Sequence, residues 1–290
     1  MRTIYHTLSI IAILLIHSCD IINPEEAIPS YIYVPDFQLN TNSNQGTNSN
    51  KITDVWVTVG DTYLGVYPLP ALIPILGQGE QNITLEAGIK QNGINSTGVA
   101  YPFYQPFQTK VTLAPNEVDT LRPVITYRNN TKFILVENFD NNDHIFRTLR
   151  RGNEVNRIQI VSQNAFQGNS AQVTVNRDNP VAEISTVTRY KNPGSQGVSV
   201  YLEVNYKSEA DVIFGIVGYR NGSADQPAFQ AGFSARNDWN KIYFDLSPLL
   251  AGNTYDEYQV VFQTVLPSRN NVFTKDNATI WLDNIKLVHF

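Results

Sequence analysis

Apolar and polar residues alternate along most of the chain after residue 30, and the apolar runs are short and rich in Val, Ile, Thr and Tyr. A period of two residues indicates half-buried strands, whereas an amphipathic helix would repeat every 3.6 residues. The runs at 55–59 and 63–67 are separated by Gly60 and Asp61, which is a hairpin signal. The pattern therefore predicts an all-β protein.

The strand-like runs fall into two groups that meet near residue 129. Residues 30–128 contain turn signals at the spacing of a small, Ig-like β-sandwich. Asn129, Asn130 and Thr131 then interrupt the apolar pattern. Residues 129–290 contain about eight further β-rich runs, which is the strand number of a jelly roll. We predict two domains, a β-sandwich at 30–128 and a jelly-roll sandwich at 129–290.

The N-terminus has the pattern of an exported protein. Arg2 precedes an apolar run at 8–16 that is too short to span a bilayer. The sequence Ile16-His17-Ser18-Cys19 follows and resembles the lipobox of bacterial lipoproteins. The resemblance implies a signal peptide at 1–18, cleavage before Cys19, and diacylglycerol and acyl (palmitate-type) chains on that cysteine. The alternative is an ordinary signal peptide whose cysteine lies there by chance.

The predicted lipid anchor is followed by a short polar tether at 19–29 that contains acidic residues. Two or more acyl chains hold a protein firmly on a membrane. Asp20, Glu25 and Glu26 follow the cysteine closely. In some lineages such residues accompany export to the cell surface, and in others Asp at this place retains the protein at the inner membrane. We expect the outer membrane, with the protein facing the cell exterior.

Composition narrows the classes of partner. Charged residues make up only 16% of the chain, and the formal net charge is −5. Arg150 and Arg151 form the one pair of adjacent basic residues, whereas nucleic-acid binding needs clustered positive charge. We therefore expect no nucleic-acid partner. Cys19 is the single cysteine, so no disulfide can form within the chain.

Two family resemblances refine the domain prediction. Residues 54–93 (DVWVTVGDTYLGVYPLPALIPILGQGEQNITLEAGIKQNG) resemble PEGA-type and carboxypeptidase-regulatory-like β-sandwiches, which implies a spacer or interaction module. Residues 133–290 resemble the galactose-binding-like jelly roll of many carbohydrate-binding modules. The segments that carry this resemblance are ENFD, GNSAQVTV, WNKIYFDLSP and IWLDNIKL. It implies a non-catalytic binding domain whose last strand pairs beside its first.

Sequence signatures of catalysis are lacking. After cleavage only His144 and His289 remain as histidines, and neither lies in an HExxH motif. The chain has no GxSxG nucleophile motif and no phosphate-binding glycine loop. We therefore expect no enzyme. A glycan hydrolase would require two carboxylates that face each other across a cleft.

The jelly-roll resemblance also implies a structural calcium ion between an acid on the first strand and an aspartate near the last. By position these residues are Glu137 and Asp283. Carboxylate and amide oxygens at 137–143 are the kind of ligand that Ca²⁺ prefers. The alternative is a polar loop with Asp283 as a turn cap.

Glycan is the ligand class that we expect for the jelly roll. Sugars bind through stacking on aromatic rings together with hydrogen bonds from a few polar groups. The candidate ligand-binding residues are Tyr206, Tyr219, Arg220 and Trp239, although Trp239 is also a good core residue. The alternative function is a structural or assembly component of an envelope protein complex. The aromatic segment at 101–107 could be either a contact patch or a plug beneath the first sandwich.

Overall fold

The computed structural model describes residues 26–193 and 198–290 of the chain. The predicted signal peptide at 1–18, Cys19 and most of the tether lie outside the described residues, so the lipid anchor stays a prediction. Within the described part, none of the helices has the length and apolar character needed to cross a membrane.

Within residues 26–128, the first half of the protein is built of strands and one 3₁₀ turn at Ser43–Gln45. Its strands are β1 (Ser30–Val34), β2 (Gln38–Leu39), β3 (Asp54–Val59), β4 (Thr62–Pro68), β5 (Ala71–Ile75), β6 (Gly79–Lys90), β7 (Gly98–Ala100), β8 (Phe107–Leu113), β9 (Val118–Thr120) and β10 (Val124–Ile125).

These strands form the sandwich that the sequence predicts. The larger sheet has the order β4-β3-β6-β7, with β8 also paired to β6, and it faces a sheet of order β5-β1-β9 and a small β10-β2 pair. The β3–β4 hairpin turns at Gly60, whose φ of 57° favours glycine. Pro74 lies in β5, an edge strand, where the missing N–H costs no ladder bond.

The second half contains more strand segments than the eight that its sequence predicts. They are β11 (Lys132–Glu137), β12 (Thr148–Arg151), β13 (Gln159–Val161), β14 (Ser170–Asn176), β15 (Val181–Ser185), β16 (Tyr190–Lys191), β17 (Val200–Ser208), β18 (Val212–Arg220), β19 (Ser223–Ala224), β20 (Ala228–Phe233), β21 (Arg236–Asp245), β22 (Glu257–Val265), β23 (Ser268–Arg269), β24 (Val272–Phe273) and β25 (Asn277–His289). A short helix, α1 (Ser247–Ala251), follows β21.

Two sheets of the second half pack face to face. The first has the order β13-β14-β25-β17-β21, and β11 pairs with β25 beside it, as the family resemblance implies. The second has the order β12-β15-β22-β18-β19, with β16 and β20 on its edges. Alternate residues point into the space between the sheets, for example Leu202, Phe214 and Phe262, which are fully buried.

A second hydrophobic core lies in the first half and extends into the jelly roll. It contains the aromatic residues Tyr101, Phe103 and Tyr104, all at most 3% exposed, and also Tyr201 and Tyr243 from β17 and β21. The rings of Tyr101 and Tyr201 meet edge to face at 5.4 Å. The segment at 101–107 therefore forms a plug between the two halves and not an exposed contact patch.

Candidate functional site

The jelly roll has two outward faces, and the first half of the chain covers one of them. We call this the covered face; it consists of the outward side chains of β17, β21 and β25. Its centre is Glu203, which is fully buried. The hydroxyls of Tyr101 and Tyr127 donate hydrogen bonds to Glu203 Oε1 over 3.0 and 2.7 Å. Lys241 Nζ lies 2.8 Å from Glu203 Oε2.

Charge pairing stabilises this buried cluster. Burial opposes ionisation of Glu203, but Lys241 and Lys286 together with the hydrogen bonds hold its pKa below its ordinary value. Burial lowers the pKa of Lys286 to about 8, and attraction to Glu203 opposes that shift. Lys286 Nζ also donates to the Thr47 carbonyl of the first half. The centre of the covered face is thus an internal interface, while its rim at Lys241 and Tyr243 borders a cleft.

The first half of the chain does not cover the other outward face, which belongs to the β15, β22 and β18 sheet; we call it the open face. Its central side chains are nevertheless packed, with Val217 and Val261 fully buried, whereas Ile213, Gln263 and Val265 toward one end are accessible. The strand register places its side chains in rows: Glu183 is paired with Gln263 and Gln263 with Ile213, so the three lie side by side. The outward residues of the three strands are Glu183, Ser185, Ile213, Gly215, Val217, Tyr219, Gln259, Val261 and Gln263.

The floor of the open face is apolar and well packed. Val217, Val261 and Tyr219 form a small hydrophobic cluster, against which the half-buried Phe229 of β20 packs. Gly215 makes this possible, because a Cβ at that position would lie only 2.0 Å from the Ala228 carbonyl oxygen. The absence of a side chain at Gly215 therefore lets β20 run close to β18 and brings Phe229 to the floor.

Polar groups surround this floor and are held in place by hydrogen bonds. Gln263 Nε2 donates to Glu183 Oε2 over 2.7 Å, and Arg150 Nε lies 3.3 Å from Glu183 Oε1. The Tyr219 hydroxyl donates to Gln259 Oε1 over 2.6 Å. The guanidinium of Arg189 lies 3.9 Å above the Tyr219 ring. Amide, carboxylate and guanidinium groups thus lie around an apolar, partly aromatic surface.

A cleft of about 470 Å³ lies at one end of the open face. Ile213, Gln263 and Val265 form part of its wall, and Asp211 and Lys275 contribute charged groups. Ile213 is 37% exposed and Val265 is 44% exposed, so apolar surface is available to a bound molecule here. The volume lies within the range of about 300–1,000 Å³ that is usual for small-molecule sites.

The structure does not bring the four predicted ligand-binding residues together. Tyr219 lies on the open face, but its neighbour Arg220 points the other way, packs over Tyr255 and forms an ion pair with Asp225 at 3.3 Å. Adjacent residues of a strand point to opposite faces, so Tyr219 and Arg220 cannot share one surface.

The other two predicted ligand-binding residues, Tyr206 and Trp239, lie away from the open face. Tyr206 points between the sheets, with its ring stacked on Phe233 at 3.7 Å. Trp239 is half-buried; its indole N–H donates to the Asn164 carbonyl over 2.9 Å, and its ring packs edge-on against Phe166. Their role in ligand binding stays a prediction.

Sequence reasoning missed the polar residues of the open face, namely Glu183, Gln259, Gln263, Arg150 and Arg189. Strand parity could have found three of them, because Glu183, Gln259 and Gln263 alternate with core residues on β15 and β22. Aromatic side chains are recognisable in a sequence as stacking residues, whereas the amides and acids between them carry no comparable signal.

Hydrogen bonds already engage the predicted calcium ligands. Glu137 accepts from the backbone N–H groups of Phe139 and Ile145. Asp283 accepts from Ser170 Oγ over 2.9 Å and from the Asn284 N–H over 2.7 Å. Burial raises the pKa of Asp283 to about 6 despite these hydrogen bonds.

The described residues contain no group of three or more Asp, Glu, His or Cys side chains placed to hold a metal ion. Calcium takes six to eight oxygen ligands. Glu137 and Asp283 would therefore have to share oxygens that already accept hydrogen bonds, with backbone carbonyls and water as further ligands. The donor set of these two side chains fits calcium poorly by itself, and calcium binding stays a prediction.

Comparison with known proteins gave structural neighbours only. No protein-family model and no curated protein sequence matches the chain. One solved structure of β-sandwich carbohydrate-binding modules with promiscuous specificity has 17% identity and a TM-score of 0.37, and covers 91% of this chain and 99% of its own. The xylan-binding domain CBM22-2 of Paenibacillus barcinonensis Xyn10C has 10% identity and a TM-score of 0.37, with coverages of 54% and 99%.

A family 29 carbohydrate-binding module is a third such neighbour, with 13% identity and a TM-score of 0.33; it covers 56% of this chain and 89% of its own. Similarity at this level carries no argument about ligand or role. The fold assignment to an all-β sandwich protein rests on the strand topology of the chain, and the functional argument rests on the open face.

Proposed function

We propose that this chain is a non-catalytic glycan-binding protein and that the open face of its jelly roll binds the glycan. The observation that carries the proposal is the combination, on the sheet that the first half leaves uncovered, of accessible apolar side chains (Ile213, Val265 and the half-buried Phe229) with fixed amide, carboxylate and guanidinium groups. The centre of the other sheet cannot provide this surface, because the first half of the chain covers it.

The chemistry of a sugar matches this surface. One side of a pyranose ring presents C–H groups, which pack against apolar and aromatic side chains. Its hydroxyls both donate and accept hydrogen bonds, and the partly exposed Gln263 amide and the guanidinium groups of Arg150 and Arg189 can bond to them. The buried Glu183 and Gln259 fix the neighbouring Gln263 and Tyr219 side chains. Because these groups already hold one another in position, binding would cost little side-chain entropy.

We further propose that the protein is a lipoprotein anchored to the cell envelope through Cys19, on the outer membrane, with the binding domain facing the exterior. The lipobox-like sequence and the predicted signal peptide support this anchor. In that arrangement the first sandwich holds the jelly roll away from the membrane.

A role as a structural or assembly component of an envelope complex is the alternative. An exposed apolar patch at Phe103 and Tyr104 would have favoured this alternative, but both residues are buried.

Binding to a broad glycan array tests this function, with a soluble chain of residues 26–290. We expect selective binding that falls by about tenfold or more in Arg189→Ala and Gln263→Ala, since each removes a hydrogen-bonding group from the open face. Arg220→Ala is the matched control, because Arg220 is one residue from Tyr219 but points to the other side.

Two outcomes would count against the proposal. One is a blank array with folded protein, which would favour a protein partner. The other is binding that is lost in Arg220→Ala and kept in Arg189→Ala, which would move the site off the open face.

A further inference from the structure

A second cleft lies where the two halves of the chain meet, away from the open face. We call it the junction cleft. Lys51, Lys90 and Asn92 line it from the first half, and Tyr206, Arg236 and Asn240 line it from the second half. Its volume is about 440 Å³, which also lies in the range of about 300–1,000 Å³ of small-molecule sites.

The junction cleft is positively charged. Its lining contains four cationic side chains, Lys51, Lys90, Arg236 and Lys241, and none that is acidic. This is unexpected in a chain whose formal net charge is −5. Lys90 is paired with Asp54 and Lys241 with Glu203, both at 2.8 Å. Among the described residues, Lys51 and Arg236 have no acidic partner within ion-pair distance, so two positive charges are left for a ligand.

The two unneutralised cations are close enough to affect each other. Burial lowers the pKa of Lys51, and repulsion from Arg236 lowers it further. Lys51 Nζ is held in place by a 2.6 Å hydrogen bond to Asn240 Oδ1. An anionic group between Lys51 and Arg236 would relieve this repulsion and accept charge-assisted hydrogen bonds from both side chains.

The remainder of the wall suits a molecule rich in hydroxyl groups. Tyr206 and Phe233 form a stacked aromatic pair, and Asn240 Nδ2 donates to the Tyr206 hydroxyl over 2.8 Å. Asn92, Asn95 and Ser234 supply amide and hydroxyl groups around the opening. A small inorganic anion would use the charges but would leave these groups to water.

We propose that the junction cleft is a second binding site, specific for a uronate-bearing oligosaccharide whose carboxylate lies between Lys51 and Arg236. The choice of a saccharide rests on the proposed glycan-binding function, whereas the choice of an anion rests on the junction cleft alone. The two halves of the chain contribute to one site, so the first sandwich takes part in recognition and is more than a spacer.

Calorimetric titration of residues 26–290 tests the proposal with three probes: trigalacturonate, the neutral galactotriose of the same linkage, and acetate as the free carboxylate. We expect trigalacturonate to bind at least about tenfold more tightly than either of the others, because only it offers both the charge and the hydroxyls. High salt should weaken the binding.

Variants locate the site. Arg236→Gln and Lys51→Gln should each reduce trigalacturonate affinity by about tenfold or more, the loss of one charge-assisted hydrogen bond. Arg122→Gln removes an exposed arginine from the first half, outside the junction cleft, and should leave the affinity unchanged. Circular dichroism shows whether each variant is folded.

The results separate this proposal from the function of the open face. Loss of trigalacturonate binding in Arg189→Ala but not in Arg236→Gln would overturn the junction cleft as its site. Equal binding of galactotriose would overturn the anion specificity, and equal binding of acetate would overturn the saccharide. A blank with all three probes would also overturn the junction cleft, while glycan binding that depends on Arg189 would still stand.

Discussion

Single residues owe their properties here to the side of the strand on which they lie. Tyr219 and Arg220 are neighbours in the sequence, yet one packs on the open face and the other over Tyr255. Asp283 is buried because β25 is the central strand of its sheet, and burial raises its pKa to about 6. The same residue type at the surface would titrate near its ordinary value.

The raised pKa of Asp283 makes a prediction about stability and pH. Between the unfolded value of 3.8 and about 6, the folded state binds the Asp283 proton more readily than the unfolded state does. The wild-type protein should therefore gain stability relative to Asp283→Asn as the pH falls from about 7 to about 4. Urea unfolding of both proteins at a series of pH values, with EDTA present, measures this difference.

Calcium would reverse this behaviour. A bound cation would hold Asp283 ionised and lower its pKa, so added calcium should raise the melting temperature of the wild-type protein but not that of Asp283→Asn. No shift with calcium and no metal in the purified protein would eliminate the predicted site. A stability difference independent of pH in EDTA would contradict the raised pKa.

At the level of elements, Gly215 determines whether β20 can lie against β18. A Cβ at Gly215 would lie 2.0 Å from the Ala228 carbonyl oxygen, so no side chain fits at this position. Phe229 reaches the floor of the open face only because β20 pairs there. The shape of the binding surface thus depends on one glycine in a central part of the sheet.

Gly215→Val should therefore displace β20 and impair the open face more than the fold as a whole. We expect weaker glycan binding and faster amide hydrogen exchange in 228–233, with protection of β22 retained, because β22 pairs with β18 on its other side. Gly77→Val is the control, since Gly77 has no positive φ, lies in the first half, and a Cβ there would meet only the Ile75 and Leu113 side chains at 3.7 and 4.0 Å. Unchanged exchange in 228–233 would contradict this role of Gly215.

At the level of the whole molecule, the two halves share a core and a buried charge cluster. Tyr201, Tyr243 and Val288 of the jelly roll belong to the hydrophobic core of the first half. Glu203 joins Tyr101 and Tyr127 on one side to Lys241 on the other. A chain cut to the predicted jelly roll at 129–290 would expose these groups, and the domain boundary near 129 stays a prediction.

Glu203→Gln should destabilise the protein by about 3–5 kcal/mol, because it leaves Lys241 and Lys286 buried without their negative partner. Urea unfolding at pH 7 measures the free energy of unfolding, and Glu117→Gln, at an exposed position, is the matched control with an expected change within about 0.5 kcal/mol. If the free energy of unfolding changes as little for Glu203→Gln as for the control, the buried charge cluster contributes little to the stability of the contact between the two halves.

The sequence by itself determined the all-β class and the β3–β4 hairpin, because strand alternation and turn residues are local signals. It also separated inward from outward residues on most strands. The pairing of the last strand with the first was implied only by the family resemblance. Only the tertiary structure decided which outward face the first half covers. Glu203 and Glu183 are both buried outward acidic residues in strands, and Glu203 is covered by the first half because Tyr101 and Tyr127, 102 and 76 residues away, fold over it. Contacts over that distance leave no periodic trace in the chain, so neither the open face nor the junction cleft could be predicted from it.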